Sequence, residues 1–104
     1  MILIIEFLIE GEKKQYVFGD SYKSWQMQLR EFILSEKIKE NNFLKVKSCK
    51  KQFPQNGLKW CPLEEFQTEL DECHLGNLDN MYFTEDPKKH KEIMELLKFL
   101  NKKC

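Results

Sequence analysis

The chain has no alanine, one arginine (Arg30) beside sixteen lysines, four glycines, three prolines and no Cys-x-x-Cys pair. Each shortage excludes something. With a single Arg, the bidentate guanine contact that dominates sequence-specific DNA reading is almost unavailable. Four glycines leave no Gly-rich phosphate loop, and neither a Gly-x-Ser-x-Gly elbow nor a His-Glu-x-x-His helix is present. A non-enzymatic protein without a cofactor is therefore expected. Cys49, Cys61, Cys73 and Cys104 lack the close pairing of a zinc site, and His74, next to Cys73, projects about 100° away from it on a helix. Free thiols and no metal are expected.

No apolar run is long enough to span a bilayer. Met1–Ile9 is apolar apart from Glu6, but no basic region precedes it and no small-residue cleavage site follows. A cytoplasmic protein without a membrane partner is the expectation. Missing Ala, scarce Arg and abundant Lys, Ile, Asn and Phe together are the codon signature of an AT-rich gene, which fits bacterial islands and phages alike.

What is present suffices to fold. In 104 residues, 41% are apolar and thirteen are aromatic, eight of them Phe, and a chain of this size buries roughly two-thirds of its unfolded surface. One domain spanning 1–104 is expected. The unbroken run Met1–Glu10 predicts a strand covered on both faces, with Glu6 reaching solvent near a strand end or edge. A turn at Gly11-Glu12 and alternation over Lys14–Phe18 complete a hairpin. Asp20 or Ser21 caps a first helix with Tyr22, Trp25, Leu29, Phe32 and Ile33 on its apolar stripe, widened by Met27, Leu34 and Ile38 and ending near Asn41-Asn42. Phe43–Cys49 alternates as a half-buried strand. After the turn residues 53–57, a short strand over Leu58–Cys61 leads to a second helix with Pro62 at its first position and Gly76 as its stop. Met81–Thr84 reads as a last strand. Asp86 or Thr84 then caps a third helix that starts at Pro87. The order ββαβ(β)αβα predicts an α+β domain, with a mixed, mainly antiparallel sheet packed by about three helices.

Seventeen basic and seventeen acidic side chains cancel overall, but not locally. Residues 41–63 carry five lysines (Lys45, Lys47, Lys50, Lys51, Lys59) and no acid. Residues 64–86 carry eight acids (Glu64, Glu65, Glu69, Asp71, Glu72, Asp79, Glu85, Asp86) and neither Lys nor Arg. The last eighteen residues return six lysines against two acids. A segment at −8 repels itself unless cations offset it, and two expectations follow. Either the blocks neutralise one another in the folded monomer, or the acids form an exposed patch that docks on a basic protein surface, with Leu78, Tyr82 or Trp60 as apolar anchors.

Basic protein surfaces of this kind include the cationic clefts of nucleases and other nucleic-acid-acting toxins. The expected function is thus that of an immunity protein or antitoxin covering such a cleft. A phage-encoded inhibitor of a host nuclease or defence system would present the same surface. A third reading uses Lys45, Lys47, Lys50, Lys51 and Lys59, interleaved with Phe43, Phe53 and Trp60, as phosphate contacts and stacking platforms for single-stranded nucleic acid.

Overall fold

A computed structural model describes residues 1–20, 23–51 and 60–102. Its elements run β1 (Ile2–Ile9), β2 (Glu12–Gly19), α1 (Trp25–Glu36), a 3-10 turn (Glu40–Asn42), β3 (Phe43–Cys49), β4 (Cys61–Pro62), α2 (Leu63–Glu72), a 3-10 turn (Leu78–Asn80), β5 (Thr84–Glu85) and α3 (Pro87–Lys102). This is a small α+β domain. The sheet order is β4-β2-β1-β3-β5, and all four ladders are antiparallel rather than mixed. Successive strands after β1 are laid alternately on its two sides.

β1 is the centre because it is apolar on both faces. Leu3, Ile5 and Phe7 belong to the larger core with Phe18, Phe32, Phe43, Val46 and the apolar faces of α1 and α3. Ile2 and Ile4 point the other way, to a smaller core with Val17, Cys49, Phe66, Leu70 and Met81. On the larger side Phe32 stacks with Phe7, Tyr16, Phe18 and Trp60 at 4.7–5.5 Å between ring centroids. Lys89 lies 5.3 Å from the Trp25 ring, tying α3 to α1.

Several boundaries differ from expectation. The hairpin turn is Glu10-Gly11, both at positive φ (53° and 80°), the pattern of a two-residue type I′ turn, which matches the twist of the flanking strands. Ser24 caps α1, its hydroxyl accepting from the Met27 N–H, while Asp20 accepts from the Trp25 N–H. Ser21 and Tyr22 lie outside the described residues. α1 stops at Glu36 because Lys37 turns left-handed (φ 54°) and Ile38 N–H closes on the Ile33 carbonyl. Met27 and Leu34 fall outside the buried stripe, at 53% and 54% exposed. Phe43–Cys49 forms a strand as expected, whereas of Leu58–Cys61 only Cys61 is in a described strand, paired beside Pro62. Pro62 caps α2 rather than opening it. The final strand is Thr84–Glu85, two residues long, not Met81–Thr84. Glu6 sits in the middle of the central strand, between Gln15 and Lys45, not at an end or edge. It reaches solvent because α2 covers only the Ile2–Ile4 end of that face.

Candidate functional site: an acidic strap across one sheet face

α2 and the turn after it join β4 on one edge of the sheet to β5 on the other, so residues 63–83 form a strap across the second face. Phe66 and Leu70 anchor it, both fully buried. Gln67 fixes its far end. Its amide nitrogen donates to Asp71 (2.9 Å) and to the Gly76 carbonyl (3.2 Å), and its amide oxygen accepts from the Leu78 N–H (2.7 Å). Sequence reasoning passed over Gln67, since a polar helix residue gives no sign of bridging an eleven-residue separation.

With the apolar positions turned inward, the acids turn out. Glu64, Glu65, Asp71, Glu72, Asp79 and Glu85 are exposed, and Glu69 is half-buried. Glu64 and Glu65 suit the positive end of α2, but Asp71 and Glu72 sit at its negative end, with no basic residue in the last turn. Tyr82 is 87% exposed, Leu75 43% exposed and Leu78 half-buried. Asp86 is used elsewhere, as the cap of α3, accepting from the Lys89 N–H (3.1 Å) and from the Ser48 hydroxyl (2.9 Å). The Lys89 backbone bond holds its carboxyl below the usual range, burial opposes this, and the Ser48 bond adds to the lowering.

Among the described residues no lysine of the basic block lies within ion-pair distance of these acids. Lys47 is set opposite Glu85 in the β3–β5 ladder and Lys45 opposite Glu6 in β1–β3, and neither pair closes to ion-pair distance. Among the described residues the ion pairs within 4 Å are Lys23–Glu31 and Lys89–Glu92, and neither involves residues 41–86. The acidic field also reaches a thiol. Burial, then Glu69 and Glu65, push Cys61 up to about 11, which leaves it protonated and unreactive at neutral pH.

Of the residues expected to contact nucleic acid, Lys50 and Lys51 are exposed, Lys45 and Lys47 are half-buried on the sheet, and Lys59 lies outside the described residues, as does Phe53. Phe43 is 6% exposed, and Trp60 packs on Tyr16, Phe18 and Phe32. Phe43 belongs to the larger core, and Trp60 packs against it half-buried. Among the described residues no group of three or more His, Cys, Asp and Glu side chains could hold a metal ion, and no helix is long and apolar enough to cross a membrane.

Comparison with protein-family models, curated proteins and solved structures finds no match for this chain.

Proposed function

We propose that this protein is a non-enzymatic binding inhibitor, an immunity protein or antitoxin whose acidic strap covers the basic active or nucleic-acid-binding surface of a nuclease-type toxin. The observation that carries the reading is the placement of charge on α2. Exposed carboxylates surround the solvent side of a ten-residue helix, including its negative end, with no cation within ion-pair distance among the described residues. Local stability does not favour this arrangement, because like charges three and four apart repel and the helix dipole disfavours acids in the last turn. A basic partner supplies the missing cations. The carboxylates then occupy positions that phosphates of a nucleic acid would take, and inhibition is steric and electrostatic. Tyr82, standing almost free in solvent, is the apolar anchor, the kind of residue that dominates interface energetics. Long-range attraction speeds encounter and like-charge repulsion rejects acidic surfaces.

The test begins with low-salt affinity capture from the native host, with co-purifying proteins and nucleic acids both identified. Against a captured basic protein, reversing Glu69, Asp71, Glu72 and Asp79 to Lys is expected to slow association about tenfold or more and to flatten its salt dependence. Folding stability should move by no more than about 2 kcal/mol, since Asp71 also gives up the bond it accepts from Gln67. Unchanged association kinetics in that variant would remove the acidic-strap reading, and capture of nucleic acid alone would shift the function to the lysine strand.

A further inference from the structure

The polar bracing of the strap runs along it. Gln67 bonds to Asp71, Gly76 and Leu78, and the backbone N–H groups of His74, Leu75, Asn80 and Met81 reach Asp71, Leu70, Asn77 and Leu78. All of these partners belong to the strap itself. Its attachment to the sheet is apolar: Phe66, Leu70 and Met81 close over Ile2, Ile4, Val17 and Cys49, with Leu63, Leu78 and Phe83 at the margin. Each end is tied by a two-residue ladder, Tyr16–Pro62 with Val17–Cys61 on one edge and Lys47–Glu85 with Ser48–Thr84 on the other.

The helix at its centre is weak by itself. Ten residues are too few to stay helical in water without packing. Glu69 lies four residues from Glu65 and three from Glu72, and like charges at those spacings repel. Pro62 provides no side-chain cap at the start of α2, and His74 beyond its end takes a left-handed φ of 55°, a position that suits glycine. Once α2 leaves the sheet it therefore melts, so lifting and melting are one event. The frame has the opposite character. β1 is paired on both sides from Ile2 to Phe7, and none of the fourteen buried residues of the larger core comes from the strap.

We propose that the strap is a lid hinged at both ends: residues 63–83 lift from the sheet and melt as one cooperative unit, pivoting at β4 and β5, while the α1–α3 side stays folded. Opening bares Ile2, Ile4, Val17 and Cys49 on the sheet and Phe66 and Leu70 on the lid. Partial openings of this kind fall to elements with few buried contacts of their own. A ligand that holds the acidic surface only in its closed form shifts the lid toward closure. The lid follows from packing alone and stands without the inhibitor reading.

The test is native-state exchange on the full chain in low urea. Amide exchange is followed in α1 and α2, and modification of Cys49 by iodoacetamide is followed by site-resolved mass spectrometry. Each rate divided by its value in the unfolded chain gives an opening constant. Cys49 and the Glu69 and Leu70 amides are expected to share one constant, at least about tenfold above that of the Phe32 and Ile33 amides and less dependent on urea. Gln67→Ala, which leaves the apolar contacts in place, should raise both lid readouts about fivefold. Ile93→Val, a small loss in the larger core, should speed α1 exchange about fivefold and leave Cys49 unchanged. If Cys49, α2 and α1 share a single constant, the domain opens only as a whole and the lid is wrong. If α2 exchanges early while Cys49 stays at the α1 limit, the helix frays in place and the lid is wrong. A Cys49 rate that Gln67→Ala does not move also overturns it, because the thiol is then reached by fraying of β3.

Discussion

The two faces of the sheet are built to different standards. One carries α1 and α3 side by side over fourteen buried residues, with a Phe-Tyr-Trp cluster at its centre. The other carries only α2, over seven buried residues at one end of the sheet, and leaves Glu6, Leu8, Lys13 and Gln15 at least partly open to water. A domain this small has little apolar area to spare, so a half-covered face is costly. The first face makes the fold, and the second trades stability for an exposed charged surface. Marginal stability makes such a trade visible in measurement.

Core truncations give the largest contrast. Phe32→Ala should cost about 5 kcal/mol, the upper end for a fully enclosed ring, whereas Phe66→Ala should cost nearer 3 kcal/mol because the open face beside it can collapse. Chemical denaturation of both variants checks this, and equal losses would erase the distinction between the faces. A smaller effect belongs to the strap alone. Gln67→Ala should cost about 1 kcal/mol for its lost hydrogen bonds, with shift changes in an NMR spectrum confined to residues near 67–83. Changes spreading into α1 would show that the strap is continuous with the main core. The smallest effect is a pH dependence on the well-covered side. Asp86 has its folded-state pKa lowered, so its ionised form stabilises the fold fully above the unfolded value of about 3.9, and that contribution is lost as pH falls through the folded value. Asp86→Asn keeps a capping oxygen but loses the charge. Its stability deficit, followed by denaturant melts, should be constant from pH 7 to 5 and shrink below pH 4.

Periodicity made the first face legible in advance. Trp25, Leu29, Phe32 and Ile33 repeat at helical spacing, Phe43–Cys49 alternates, and both segments fold as that pattern dictates. The errors lie where the sheet edge decides. A two-residue strand such as Thr84–Glu85 has no period, and its position follows from pairing with Lys47 and Ser48, a contact almost forty residues distant. Met27 and Leu34 look like core by composition, yet the helix has only one buried side and they stand off it. Glu6 lies mid-strand and still reaches water because α2 covers only the Ile2–Ile4 end of its face, a coverage that the residues of β1 do not themselves reveal. The acids of 64–86 could be read as a block of charge, but Asp86 is engaged in a cap and Asp71 accepts from Gln67 while Glu64, Glu65 and Glu72 are exposed on α2, and only the third dimension separates them.

Because strands are added alternately to the two sides of β1, the acidic segment enters at one outer strand and leaves at the other. Its endpoints are thus set by the width of a five-stranded sheet, about 19 Å at the usual strand spacing, while what lies between them is held chiefly by Phe66, Leu70 and Met81. Lengthening or recolouring that stretch with other charges would leave the aromatic cluster untouched. The molecule therefore separates into a frame that sets the fold and a strap of some twenty residues whose outward side chains can be exchanged without rebuilding that frame.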